Sequence, residues 1–228
     1  MALPPSQMPN VRLYLDTADP TQWKDWLSTG IFYGVTSNPL LLERAGEQCS
    51  VNNLTRLAQY AFELGAKEVQ MQTWGATEEE LVATGNSLAS IDSRIVVKVP
   101  ITRVGTAAAA RLAAQSVRFT MTAVYDRHQV LIAAALGAEY VAPYLGRIND
   151  LGREGREELA AMQRSLDGIQ SSTRILTASI RQVEDLAYLS AAGLDTFTFS
   201  TAIAQALFDV PSTIQATSDF ERAAAQMQ

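Results

Sequence analysis

Short apolar runs rich in β-branched residues alternate with longer stretches of helical period along this chain, and the cycle repeats eight times, which leaves few architectures open. The runs that read as strands are Val11–Leu15, Phe32–Val35, Glu68–Gln72, Ile95–Val99, Arg118–Val124, Tyr140–Pro143, Arg174–Ala178 and Thr196–Phe199. Helices are predicted near Pro20–Ser28, Val51–Leu64, Glu78–Ile91, Gly105–Gln115, Asp126–Ala135, Arg156–Ser171, Arg181–Ala192 and Thr201–Phe208. Asp19 before Pro20 and Asn38 before Pro39 each offer an N-cap followed by a proline that needs no amide partner. Gly65, Gly137 and Gly193 follow helical runs and suit the left-handed residue that ends a helix.

Eight βα units in series bury both faces of parallel strands. Right-handed crossovers then make a single closed (βα)8 TIM barrel the expected fold, an α/β architecture. A doubly wound open sheet is the competitor, but no Gly-x-Gly-x-x-Gly and no P-loop follows a strand. The chain has 228 residues, 47% of them hydrophobic, enough for one sizeable core in one domain over residues 11–228. Residues 1–10 are expected to form a loose arm. Pro211–Gln228 is expected to be an additional C-terminal helix, short of core contacts and suited to pack on a neighbouring subunit. The segment Gly146–Arg156, polar and with three glycines, reads as a loop at the active end.

Eighteen basic residues against 24 acidic ones leave a net charge of −6 with no basic stripe, so nucleic acid is not an expected partner. An anionic substrate would be small and held by a few arginines. One cysteine, Cys49, and one histidine, His128, provide no metal cluster and no internal disulfide, so no metal or cofactor is expected. The start MALPPSQMPN does not read as a signal peptide and no stretch approaches ~20 uninterrupted apolar residues. No membrane partner is expected, and a reducing cytoplasm fits best.

Chemistry in such a barrel gathers where strands end at their carboxyl side. Lys98 interrupts the run Ile95-Val96-Val97-Lys98-Val99-Pro100. A lysine fully buried without a partner loses roughly 3–5 pKa units and becomes a nucleophile near neutral pH. Amine attack on a ketone gives an iminium, which accepts the electrons of a breaking carbon–carbon bond. The competing reading is a lysine paired with an inward carboxylate, or one reaching solvent. Asp16 closes the first strand and can bond a substrate hydroxyl or the lysine, since Asp19 is the better-placed cap for the following helix. Asn38 reads locally as an N-cap. Gln70 and Gln72 share one side of their strand, so period alone does not choose between them. Thr122 suits a strand by propensity alone, and Tyr144 suits a barrel rim. His128 reads as structural, Trp23 and Trp26 as packing, and Cys49 has no assigned role.

Five ordered segments resemble the transaldolase family, particularly its small members that include fructose-6-phosphate aldolase. They are Leu13-Tyr14-Leu15-Asp16-Thr17-Ala18, Gly34-Val35-Thr36-Ser37-Asn38-Pro39, Val96-Val97-Lys98-Val99-Pro100, Thr122-Ala123-Val124-Tyr125 and Ala138-Glu139-Tyr140-Val141-Ala142-Pro143-Tyr144. The resemblance implies that Lys98 is the Schiff-base lysine, that Asp16 takes part in proton transfer, and that the Asn38 amide bonds a substrate hydroxyl. It selects Gln72 over Gln70 and gives Gln72, Thr122 and Tyr144 a shared catalytic water. Gln72 with Tyr144, where transferases of the family resemble one another in having glutamate and phenylalanine, points toward the aldolase side. Arg147, Ser179 and Arg181 suit a substrate phosphate, Arg181 standing where some relatives have lysine. Alternatively, Arg147 pairs with Asp150, and Arg181 opens a helix in solvent.

The activity implied is class I aldol cleavage or transfer of a dihydroxyacetone unit from a ketose phosphate such as fructose 6-phosphate. The alternative is transaldolase transfer to erythrose 4-phosphate, in the pentose phosphate pathway. A metal-dependent aldolase and a non-catalytic phosphosugar-binding barrel are the rivals from other classes. By resemblance the chain is also expected to be a homo-oligomer, a pentamer or decamer.

Overall fold

In the computed structural model, which describes residues 11–227, eight parallel strands close on themselves in the order β1 to β8, with β1 paired to β8. The strands are β1 (Arg12–Asp16), β2 (Gly34–Thr36), β3 (Glu68–Gln72), β4 (Ile95–Pro100), β5 (Phe119–Val124), β6 (Tyr140–Pro143), β7 (Arg174–Thr177) and β8 (Thr196–Phe199). Around them run α1 (Pro20–Leu27), α2 (Pro39–Ala45), α3 (Val51–Glu63), α4 (Glu78–Ala89), α5 (Arg103–Ala114), α6 (Gln129–Ala135), α7 (Leu145–Asp150), α8 (Gly155–Gly168), α9 (Glu184–Ala191), α10 (Thr201–Ala206) and α11 (Pro211–Met227). The fold is thus a (βα)8 TIM barrel with a C-terminal helix. The arm expected over residues 1–10 lies outside the described residues.

Local sequence explains the elements. Val96, Val97 and Val99 of β4 fit a pleated, buried surface, and α5 carries the alanine run Ala107–Ala110, the strongest helix former. Asp19 accepts from the Thr21 amide at the start of α1, and a full capping box joins Thr77 and Glu80 at the start of α4. Gly65, Gly137 and Gly193 all take positive φ after α3, α6 and α9. Trp23 is buried and its indole donates to the Thr17 carbonyl at 2.9 Å, while Trp26 stacks on Phe208, so both tryptophans pack.

Alternation splits each strand between two environments. The outward set, such as Leu15, Val69, Met71, Val97, Val99, Met121 and Phe197, forms the large core beneath the helices. The inward set holds a small apolar cluster of Tyr14, Val96, Tyr140, Ala142 and Leu176, with polar side chains above and below it. Below lies buried Glu68. Its carboxylate accepts from Tyr14 Oη at 2.7 Å, Gln70 Nε2 at 3.0 Å, Tyr140 Oη at 3.3 Å and Arg118 Nη2 at 2.5 Å.

Three expectations need correction. Gly146–Arg156 is not a continuous loop, because α7 covers its first half and α8 begins at Gly155. Gly146 serves close approach: its amide donates to Ser179 O at 2.9 Å, and a Cβ there would sit 2.5 Å from that oxygen. The helix expected from Arg181 starts at Glu184, where Glu184 and Asp185 put negative charge at its N-terminus. The capping pair Asn38-Pro39 opens a helix, α2, that the strand-and-helix alternation passed over.

Candidate active site

A cavity of about 210 Å³ opens at the carboxyl ends of the strands, lined among others by Asp16, Asn38, Arg44, Lys98, Tyr144, Arg147 and Ser179. Lys98 enters it from β4. Its side chain is 3% exposed, yet among the described residues it pairs with no carboxylate, and its Nζ donates to the Ser37 carbonyl at 3.2 Å. An amine sheltered from water and free of an ion pair keeps its lone pair for an electrophile in the cavity whenever it is unprotonated.

Asp16 ends β1 on the inward face, where Oδ1 accepts from Thr36 Oγ1 at 2.7 Å, and Thr36 in turn meets Thr198 at 2.6 Å. These two threonines were not marked by the sequence, since threonine is ordinary in strands. They hold the carboxylate in place. Asn38 does cap α2, its Oδ1 accepting from Leu41 N at 3.1 Å. That leaves its NH2 for the cavity it lines.

Both glutamines of β3 face inward, at different depths. Gln70 is fully buried and spent, donating to Glu68 and accepting from Thr120 Oγ1 at 2.8 Å. Gln72 lies one layer nearer the mouth, in register with Lys98. Thr122 Oγ1 and Tyr144 Oη are 2.9 Å apart. Next to this contact lies a break in regular pairing that the sequence did not reveal. Register shifts between Thr122 and Val124, and Ala123 takes φ +63°, a conformation that L-residues visit rarely. Strain of this kind clusters at functional sites. Tyr125, just after the bulge, meets Tyr144 edge to face at 5.6 Å.

The three residues expected at a phosphate are not equivalent. Arg147 lines the cavity, lies over the Tyr144 ring at 4.9 Å and donates to Tyr125 Oη at 3.3 Å, a bond that holds its guanidinium firmly charged. Ser179 lines the cavity in a left-handed conformation, φ +59°, fixed by the Gly146 contact. Arg181 forms a bidentate pair with Asp150, at 2.6 and 2.5 Å, and does not line the cavity. The suggested pair of Arg147 with Asp150 is therefore corrected: the α7 turn presents Asp150 to Arg181. Arg44 and Ser200 also line the cavity and were missed. Nothing near Arg44 in sequence separates it from a solvated helix charge, because α2 itself went unrecognised.

Among the described residues no group of histidine, cysteine, aspartate and glutamate could hold a metal ion, and no helix is long and apolar enough to cross a membrane. His128 is exposed and makes no cap bond at the start of α6, and Cys49 is exposed.

The family described as Transaldolase/Fructose-6-phosphate aldolase matches residues 13–228. A protein named probable transaldolase from Phenylobacterium zucineum is 32% identical over 210 residues, covering 92% of this chain and 94% of that one. A probable transaldolase from Thermus thermophilus is 31% identical, covering 89% and 93%. The thiamine phosphate pyrophosphorylase from Pyrococcus furiosus superposes with a TM-score of 0.59 at 14% identity, covering 85% of this chain and 87% of the other, a likeness of fold alone.

Proposed function

The chain belongs to the transaldolase/fructose-6-phosphate aldolase family and is an enzyme of the aldolase or transferase kind; on that premise we propose that Lys98 forms a Schiff base with a ketose phosphate such as fructose 6-phosphate and releases a dihydroxyacetone unit. The observation that carries this reading is the sheltered Lys98 amine, unpaired with any carboxylate among the described residues, in a cavity it shares with Asp16, Asn38 and Tyr144.

The sequence of events follows from electron demand. Lys98 attacks the ketone, the carbinolamine loses water, and the iminium draws in the electrons of the bond between the third and fourth carbons. Asp16, anchored by Thr36, accepts the proton of the hydroxyl that becomes the aldehyde. The aldehyde leaves. The enamine that remains is either protonated and hydrolysed to dihydroxyacetone or adds to a second aldehyde. Tyr144, bonded to Thr122 and near the layer of Gln72, handles water-mediated proton exchange. The Tyr144 hydroxyl supports the aldolase outcome, because it offers the enamine a proton. The probable transaldolases among the relatives support the alternative, transfer to erythrose 4-phosphate.

Borohydride added with fructose 6-phosphate or dihydroxyacetone is expected to leave a reduced adduct on Lys98, read by peptide mass. An adduct on Lys24 or Lys67 would overturn the assignment. Dihydroxyacetone release without an acceptor marks the aldolase. No release alone, but transfer once erythrose 4-phosphate is present, marks the transaldolase.

The proposal includes a cytoplasmic setting, which suits the exposed lone Cys49, and assembly with further copies of this chain. Helix α11 has no buried residue and exposes Ile214, Phe220 and Met227. Sedimentation should report an oligomer that Phe220→Asp loosens; a monomeric wild type at micromolar concentration would remove this part of the proposal.

A further inference from the structure

Three arginines stand near the mouth of the barrel, and their surroundings divide them. Arg181 has its charge matched by Asp150. Arg147 forms no direct ion pair among the described residues and is fixed by Tyr125 and Tyr144. Arg44 lines the cavity from the last turn of α2 together with Leu40 and Leu41, and has no hydrogen bond or ion pair among the described residues.

A basic residue in the last turn of a helix has a structural explanation, since it can serve the exposed carbonyls there. Two of those carbonyls are already served by the backbone. The Gly46 amide already donates to Glu43 O and Leu42 O, with Gly46 at φ +70°, and the Glu47 amide also donates to Leu42 O at 2.9 Å. The nearby carboxylate of Glu47 is itself engaged by Arg56 at 2.6 Å and by Asn53 at 2.9 Å. Among the described residues nothing uses the Arg44 guanidinium, and it lines the cavity.

Helices α2 and α7 follow strands β2 and β6, four strands apart around a closed ring of eight. Arg44 and Arg147 therefore stand on facing sides of the mouth. A phosphate monoester carries about −1.5 to −2 charges near pH 7, which one guanidinium does not balance. We propose that Arg44 is a specificity-determining residue that closes on the substrate phosphate from the α2 side while Arg147 and Ser179 hold it from the other, so that Arg44 sets the preference for phosphorylated over unphosphorylated substrates. The inference rests on the reading of the chain as an enzyme acting on sugar phosphates.

The test compares wild type with Arg44→Ala, Arg44→Lys and, as a control for net charge, Arg164→Ala on the exposed face of α8. Steady-state rates with fructose 6-phosphate should show KM raised tenfold or more in Arg44→Ala, since one hydrogen bond to a charged group contributes at least that much, while kcat changes little. Arg44→Lys should fall between, because an ammonium keeps the charge and loses the fork. Calorimetric titration with inorganic phosphate, which needs no turnover, should weaken in the same order and stay unchanged in Arg164→Ala. Borohydride trapping with unphosphorylated dihydroxyacetone reports whether Lys98 and the barrel are intact. Trapping that falls in step with the loss on fructose 6-phosphate, or a KM and phosphate affinity indifferent to Arg44→Ala, overturns the proposal. A wild type that binds phosphate in an Arg44-dependent way yet traps no iminium would instead overturn the catalytic reading and leave Arg44 as an anion-binding residue.

Discussion

The two ends of the barrel interior bury comparable polar chemistry and treat it in opposite ways. At the floor, both Glu68 oxygens are taken: Tyr14 and Gln70 donate to one, Arg118 and Tyr140 to the other. Arg118 also forks onto Glu139 at 2.7 Å, and Arg12 bonds Tyr140. Burial and the Glu68 charge push the Tyr14 phenol far up from its ordinary range, and burial does the same to Tyr140, so both remain protonated donors. At the mouth, Lys98 is as deeply buried as the floor carboxylate but has one carbonyl partner, and Asp16 is bonded by one threonine. A saturated network rigidifies, whereas an unsaturated one keeps valence for a substrate. On the proposed reading, that difference separates a group that supports the barrel from one that works in it.

Removing the unsaturated group gives the largest expected effect on that comparison. Lys98→Met should abolish iminium trapping and reduce turnover by several orders of magnitude, while the urea midpoint holds or rises because a buried amine is exchanged for a matching apolar chain. A variant that loses folding along with activity would place Lys98 in the same class as Glu68. The converse is Glu68→Leu. It strands the buried Tyr14, Tyr140 and Gln70 donors and takes one carboxylate from the part-exposed Arg118, and each buried donor left unsatisfied typically costs about 1–3 kcal/mol. Urea unfolding measures the loss, and the fraction that remains folded should keep its KM for fructose 6-phosphate; a changed KM with unchanged stability would make the floor part of the site. The smallest effect is expected on the outer face of the barrel, beneath the helices. Thr177 of β7 is fully buried and its hydroxyl lacks a partner among the described residues. Thr177→Val should stabilise by about 1 kcal/mol with activity unchanged, and a clear destabilisation would show that the hydroxyl is satisfied in solution.

The sequence carried the architecture because a buried parallel strand and an amphipathic helix leave different periods, and eight repetitions of that pair close one kind of barrel. Lys98 was legible for a related reason: a single charge inside Ile95–Val99 has no place in an ordinary strand. Glycine was ambiguous. Gly65 and Gly193 ended helices as expected, but Gly146 in its polar, glycine-containing stretch marked a close approach to Ser179, and α7 was mistaken for loop. Capping chemistry named Asn38-Pro39 without yielding α2, so Arg44 went unnoticed.

Period places Gln70 and Gln72 on one face, yet only three-dimensional neighbours commit the first to Glu68 and Thr120 and leave the second beside Lys98. The bulge at Ala123, the threonine chain behind Asp16 and the choice of Arg181 as partner for Asp150 all depend on residues brought together from distant positions. The sequence by itself determined the eight strands, the helices of the main alternation and which lysine stands out, because those properties arise from local period and from the cost of burying a charge. Which polar groups are saturated and which stay available was decided only by the tertiary structure, because a hydrogen bond requires a partner at a particular distance, and closing the ring of strands sets that distance.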